Sequence, residues 1–398
     1  MAHINPNFNN LPQNYLFTDI ARKVSQFKSE HPEVNVISLG VGDVAGPLIP
    51  EVIDALKAAA DDMSRTETFH GYAPESGYPF LREAIAAIDY RDLDISADEI
   101  FISDGAKSDT GAIGDIFGLD NIVAVCDPVY PVYVDTNIMS GRAKNINDFV
   151  YLPATADNGF VPELPDRPVD LIYLCFPNNP IGVGITKAQL TEWVDYANET
   201  GAVILYDAAY EAFVETPGVV HSIFEIPGAR TCAIEFKSLS KTAGFTGMRC
   251  AYTVIPKDLE RDGKSLNALW SRRQTTKMNG VAYPIQRAAA AVFTPEGQAG
   301  IKKQIAAYKE NARTMREKLS AAGFDVFGGV DSPYIWLAVP DGDDWAFFDE
   351  LLTGAGIICT PGSGFGKSGK GYVRLTVFGE FETIREAMAR IATLYQKA

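Results

Sequence analysis

Lys241 lies in Ser-Leu-Ser-Lys-Thr-Ala-Gly-Phe-Thr-Gly-Met-Arg, residues 238–249. A lysine amine attacks an aldehyde well only when burial or a neighbouring charge lowers its pKa. The small residues after it permit close backbone approach. Arg249 offers a planar fork suited to phosphate, and Ser238 and Ser240 add hydroxyl donors. Asp207 ends the apolar run Ala-Val-Ile-Leu-Tyr-Asp. A carboxylate buried there needs a cation, and a protonated pyridine nitrogen is one. Tyr210 could aim its hydroxyl at the same place. In the turn Phe-Pro-Asn-Asn-Pro-Ile-Gly, residues 176–182, Asn179 can donate to a ring oxygen. Ser-Asp-Gly-Ala-Lys-Ser-Asp, residues 103–109, opens a helix whose first N–H groups, at Ala106, attract phosphate, and Lys107 adds charge. Tyr130 could stack on a ring face. Arg374, in an apolar strand pattern, needs an anion, and a substrate carboxylate fits it. An aldehyde, a pyridinium, a ring oxygen and a phosphate are together the functional groups of pyridoxal 5′-phosphate.

Each residue also has an ordinary structural reading. Ser-x-Ser-Lys can be a surface loop, and Asp207 can cap the following helix. Asn-Pro can simply end a strand, residues 103–109 can cap a helix without any ligand, and Arg374 can sit in a structural salt bridge. Their joint occurrence favours the chemical reading.

These groups need a scaffold. From about residue 98, apolar strand-like runs (100–103, 121–126, 171–176, 202–206, 231–236 and 250–254) alternate with helical patterns such as 108–117 and 187–200. Unbroken Val/Ile/Leu runs joined by helices imply a mostly parallel sheet buried on both faces. Polar residues follow the strands directly: Asp127 and Tyr130, Asn178 and Asn179, Asp207 and Tyr210. Ligands of open α/β sheets bind beyond these carboxyl ends. Upstream, 17–28, 50–63 and 77–88 have helical spacing, and 36–39 is a short strand pattern. Downstream, 266–294 reads as two helices broken near Pro284, and 298–322 as one long helix. The fold class is α/β, with a large domain over 48–295. A smaller α+β domain covers 296–398, and 1–47 forms an arm and part of that smaller domain.

Bulk properties narrow the partners. With 398 residues, 46% hydrophobic and 22% charged, the chain has an ordinary globular composition. A formal net charge of −16 disfavours a nucleic-acid surface. The five cysteines form no C-x-x-C pair and read as buried free thiols. His3, His31, His70 and His221 make no ligand-spaced cluster, so no metal is expected. Neither a signal-peptide pattern nor an apolar run of roughly 18 residues occurs, and a cytoplasmic protein without a membrane partner is expected.

Pro-Asn-Asn-Pro, the Asp207/Tyr210 pair, Ser-x-Ser-Lys with its arginine and Val-Arg-Leu at 373–375 occur in the order found in the class I/II aminotransferases. The chain resembles that family over nearly its whole length. The resemblance implies fold type I of the pyridoxal-phosphate enzymes, with a mostly parallel seven-stranded sheet flanked by helices. A narrower resemblance is to the branch acting on LL-2,6-diaminopimelate. It is carried by Asn-Tyr-Leu-Phe at 14–17, Leu-Gly-Val-Gly-Asp at 39–43, Asp-Gly-Ala-Lys-Ser-Asp at 104–109, residues 240–249 and Pro-Gly-Ser-Gly-Phe-Gly at 361–366. The resemblance implies that Lys241 binds the cofactor aldehyde as an imine, Asp207 pairs with the pyridinium, Tyr130 stacks, and Tyr210 and Asn179 hold the ring oxygen. Ala106, Lys107, Ser238, Ser240 and Arg249 would surround the phosphate, with Tyr72 reaching in from a second copy. Substrate binding is implied for Arg374, Tyr130 and Asn179, and at the distal end for Tyr15, Gly42, Lys107, Glu75 and Asn279. Glu75 and Asn279 would come from the second copy, which makes a homodimer the expected assembly. Departures from the family pattern are Ile181 for the usual Thr, Leu239 for Phe, and Tyr-Ala-Pro-Glu-Ser-Gly at 72–77.

The expected reaction joins LL-diaminopimelate and 2-oxoglutarate to give tetrahydrodipicolinate, glutamate and water. An aspartate-, tyrosine- or alanine-type aminotransferase and a pyridoxal-phosphate C–S β-lyase are the alternatives on the same fold. A nicotinamide oxidoreductase is disfavoured, because Gly-Val-Gly-Asp-Val-Ala-Gly at 40–46 lacks the G-x-G-x-x-G spacing.

Overall fold

The apolar runs between residues 100 and 254 form one seven-stranded sheet. The structure, a computed structural model, describes residues 1–11, 16–44 and 46–395. Across the sheet the strands are Ile100–Ser103, Ala251–Val254, Ala233–Ser238, Val203–Asp207, Leu171–Cys175, Val123–Asp127 and Val150–Pro153. Ala251–Val254 runs antiparallel to both neighbours, and the other six share one direction. Every residue of Val123–Asp127, Leu171–Cys175 and Val203–Asp207 is buried, which is why these strands read as continuous apolar runs. Cys175 pairs with Asp207, and Asp207 with Phe236, so two strands end flush and the third runs two residues further, to Ser238, along one edge.

Two details differ from the sequence expectation, and one is refined. Val150–Pro153 is an added strand at the outer edge, where proline is tolerated in a sheet. The helix expected at 108–117 begins earlier, as Ala106–Ala112, and tightens into a 3-10 turn over Ile113–Ile116. The two helices expected over 266–294, Leu266–Lys277 and Tyr283–Val292, are separated just ahead of Pro284. This proline sits in the first turn of Tyr283–Val292, where its missing N–H leaves nothing unpaired. Helix Lys187–Thr200 matches its expected bounds because its ends are chemically marked. Thr186 and Gln189 cap each other's backbone, and Gly201 closes the C-terminus at φ 80°.

A second, antiparallel sheet has the order Val326–Gly328, Tyr334–Ala338, Tyr372–Thr376, Thr360–Pro361. Ile37–Ser38 pairs in parallel with Ile357–Ile358, bringing the N-terminal segment to this sheet. The long helix Pro295–Ala321, N-capped by Thr294, packs on Phe381–Tyr395. All five cysteines are buried and free. Among the described residues no helix is long and apolar enough to cross a membrane.

Candidate functional site

The segments that leave the strand carboxyl ends converge on a cleft of about 450 Å3 with the second sheet on its far side. Lys241 stands in the one-turn helix Leu239–Thr242, directly after the strand that ends at Ser238. Its Nζ donates to the Gly42 carbonyl oxygen. Burial is the main force on this amine and lowers its pKa to about 8; Arg374 and Arg249 act the same way, while Asp43 opposes them. An amine so poised is neutral in a useful fraction of molecules near neutrality.

Asp207 occupies the floor. Its Oδ2 accepts from the Tyr133 hydroxyl at 2.5 Å and its Oδ1 from the Ala209 N–H at 3.1 Å. Burial raises its pKa, and these two donors pull it back down. Among the described residues no cation lies against it. A buried carboxylate with donors but no counter-ion is the partner a protonated ring nitrogen needs.

At one end the cleft gathers anion-binding groups. Gly105, at φ 147°, precedes helix Ala106–Ala112. A side chain there would meet the Arg249 guanidinium, since a Cβ would lie 2.1 Å from Nη2. Arg249 also donates to Ser240 Oγ at 3.3 Å, and Ser238 Oγ accepts from the Ser240 N–H at 3.1 Å. Lys107 stands at the rim. Hydroxyls, a fork, an ammonium and free helical N–H groups are a phosphate's natural partners.

At the other end Arg374, only 3% exposed, has no carboxylate partner among the described residues. Nη1 donates to Asn179 Oδ1 and Nη2 to Gly40 O, both at 2.8 Å, while Nε finds no partner. Asn179 Nδ2 in turn donates to the Tyr210 hydroxyl at 3.2 Å. A buried arginine satisfied only by neutral acceptors keeps its charge available to an incoming carboxylate.

The cleft thus brings together Lys241, Asp207, Tyr210, Asn179, Tyr130, Ala106, Lys107, Ser238, Ser240, Arg249, Gly42 and Arg374. Tyr72, Glu75 and Asn279 are not among its lining residues. All three are exposed, Tyr72 to 88%, and the 73–74 backbone lies against Gly280, so they share one outer patch. Tyr15 lies outside the described residues. Asn178 turns away from the cleft and ties the turn, with Oδ1 accepting from Ile181 N and Nδ2 donating to Cys175 O. Sequence reasoning missed Tyr133 and Tyr334. Tyr133 had a faint signal, being one helical turn beyond Tyr130 at the start of helix Pro131–Ser140. Tyr334 had none.

Residues 34–391 match the family described as aminotransferase class I and II. The chain belongs to the class I and II aminotransferases. Among similar aminotransferases, LL-diaminopimelate aminotransferase of Lachnospira eligens is 56% identical, covering 99% of this chain and 100% of that one. The protein of that name from Methanosphaera stadtmanae is 53% identical, over 98% of each chain. A solved structure, L,L-diaminopimelate aminotransferase from Chlamydomonas reinhardtii, superposes with a TM-score of 0.95 at 42% identity, over 99% of each chain. An aspartate aminotransferase structure from Thermus thermophilus shares the fold, with a TM-score of 0.85 at 20% identity. The seven-stranded sheet is therefore that of a fold-type-I aminotransferase.

Proposed function

We propose that the chain is a pyridoxal-phosphate-dependent aminotransferase that moves an amino group from LL-2,6-diaminopimelate to 2-oxoglutarate. The products are glutamate, tetrahydrodipicolinate and water. The observation that carries this reading is the buried amine of Lys241, with a pKa near 8, set between the uncompensated carboxylate of Asp207 and the guanidinium of Arg374, which has only neutral acceptors. The choice of substrate rests on the likeness to relatives named for it.

The residues present fit the cofactor at each of its parts. Asp207 suits the pyridine nitrogen, Tyr210 and Asn179 the ring oxygen, and Tyr130 a ring face. Ala106, Lys107, Ser238, Ser240 and Arg249 suit the phosphate, joined by Tyr72 of the partner subunit. The cofactor, when bound, supplies an electron sink that lets the C–H bond beside an amino group break. Arg374 orients the substrate by its α-carboxylate, so that the Cα proton faces Lys241. Lys241 Nζ would take that proton as base and then, as acid, hand it to the carbon that had carried the cofactor aldehyde; with the second substrate the same amine would move a proton in the opposite direction. Tyr15, Gly42 and Lys107, with Glu75 and Asn279 of the partner subunit, take the distal end, and Glu75 rewards its ammonium. This division of labour calls for a homodimer; the domain split near 47/48 and 295/296 and a cytoplasmic location belong to the same reading.

A coupled assay with LL-diaminopimelate and 2-oxoglutarate tests it. Glutamate should form with the LL isomer and much less with the meso isomer, aspartate or tyrosine. Turnover of aspartate or tyrosine above that of the LL isomer, or pyruvate release from cystathionine, overturns the substrate assignment.

A further inference from the structure

Four side chains from four segments close a ring inside the cleft, and Tyr334 completes it. Arg374 Nη1 donates to Asn179 Oδ1 at 2.8 Å. A guanidinium only donates, so this contact fixes which end of the Asn179 amide faces which neighbour. Asn179 Nδ2 is therefore the donor to Tyr210 Oη at 3.2 Å. Tyr210 Oη and Tyr334 Oη lie 3.1 Å apart, with their rings edge to face at 5.1 Å. The Tyr334 ring then carries the Arg374 guanidinium 4.5 Å from its centroid, and Phe365 holds it again at 4.9 Å.

We propose that Tyr334 is a positioning residue of the transamination site. Its hydroxyl donates to Tyr210, so that Tyr210 turns its own proton toward the cofactor's ring oxygen. Its ring holds the Arg374 fork where a substrate carboxylate arrives.

The direction of the tyrosine pair follows from what each oxygen can reach. Tyr334 is 2% exposed, and among the described residues its hydroxyl has Tyr210 as its hydrogen-bond partner and no other. A buried hydroxyl proton without an acceptor is costly, so it goes to Tyr210. Tyr210 then accepts twice, from Asn179 and Tyr334, and keeps its own proton for the cleft it lines. Were the bond reversed, that proton would be withdrawn from the cleft and the Tyr334 proton stranded. Gly42 shows how closely Tyr334 is seated. A Cβ there would lie 2.3 Å from the Tyr334 hydroxyl, so only glycine lets the 40–43 backbone bring its carbonyls to Lys241 and Arg374.

This inference rests on the pyridoxal-phosphate reading, and the test separates the two. Wild-type protein, Tyr334→Phe and Tyr334→Leu are reconstituted with pyridoxal phosphate. The visible absorbance of the bound cofactor is titrated with pH, and KM and kcat are measured for both substrates. Tyr334→Phe keeps the ring and loses the donor. The ring oxygen then loses part of its support as an anion, and the spectral midpoint should rise by about half a pH unit, with KM held within about twofold. Tyr334→Leu removes the ring from under Arg374, and KM for LL-diaminopimelate and for 2-oxoglutarate should rise together, by about tenfold. An unchanged midpoint in Tyr334→Phe overturns the proposal, and so does an unchanged KM in a folded Tyr334→Leu. Should Tyr334→Leu fail to fold, the midpoint of Tyr334→Phe decides alone. Wild-type protein that takes up no pyridoxal phosphate overturns both readings; wild-type protein that does, beside an unaltered Tyr334→Phe, overturns this one only.

Discussion

Replacing Lys241 with methionine probes the electrostatics of the cleft before any ligand enters. Burial lowers the Lys241 amine from 10.5 to about 8. Below pH 8 the amine is charged in both the folded and unfolded chain, and only the folded chain bears the cost of a buried ammonium. At about 1.4 kcal/mol per pH unit, the gap between those two values gives a cost of about 3 kcal/mol. Methionine removes it but also removes the bond to the Gly42 oxygen, a loss of about 1 kcal/mol. Lys241→Met apo-protein should therefore be more stable than wild type by about 2 kcal/mol at pH 6.5. As pH rises through 8 the folded wild type sheds its proton, while the unfolded chain keeps it until about 10.5. The unfolded state then binds more protons, and wild-type stability climbs. The advantage of the variant should shrink over that window and change sign near pH 10, leaving wild type ahead by about 0.5 kcal/mol at pH 10.5. Urea denaturation of both apo-proteins, at one protein concentration and at intervals from pH 6.5 to 10.5, reads this directly. A stability difference that does not vary with pH, or a wild type ahead at pH 6.5, refutes the reasoning.

Two further outcomes follow. Arg374→Leu deletes two charge-assisted contacts to a carboxylate, worth about 1.5–3 kcal/mol each before the chain adjusts, so kcat/KM for both substrates should fall by about 10²–10³ in a steady-state assay. The melting temperature of the apo-protein should hold or rise, because no carboxylate is left unpaired; a large drop would mean that Arg374 is structural. Mixing Lys241→Ala subunits with Glu75→Ala subunits should restore activity to about a quarter of wild type, because half the reassorted dimers carry one intact site. No recovery after exchange, with heterodimers detected, removes the shared-site assignment.

The part of the cleft that could be read beforehand is the part that sits at strand ends. Asp207, Asn179 and Tyr130 each follow an apolar run, and the shared register of Cys175, Asp207 and Phe236 turns those sequence boundaries into one spatial edge. The burial that makes these runs apolar is what makes a polar residue at their ends conspicuous. The added strand Val150–Pro153 escaped because only two of its four residues are buried and it ends in proline, whereas the other edge strand, Ile100–Ser103, is buried throughout. The helix at 106 was placed late because its start depends on the φ of Gly105 and on Arg249 lying over it, and neither is a periodicity.

Tyr133 and Tyr334 escaped for a different reason, and it bears on how the site works. Neither faces a ligand group that residue type alone would suggest; each faces another residue of the site. Tyr133 bonds Asp207 from 74 positions away in the chain, and Tyr334 bonds Tyr210 from 124. Residue chemistry announces the groups that would meet a ligand, because a lone lysine, a buried aspartate or a buried arginine is expensive without one. The groups that hold those groups in place are tyrosines in ordinary core surroundings, and an apolar interior explains them equally well. Their effect is nonetheless electrostatic. The Tyr133 hydroxyl opposes the rise that burial imposes on Asp207 and so favours the anion that a pyridinium requires. The charge state of the cleft floor is thus set partly by a residue that need not touch the ligand. Substitutions that keep the ring and remove the hydroxyl, Tyr133→Phe and Tyr334→Phe, should accordingly show first in the pH behaviour of the site and only later in its affinity for substrate.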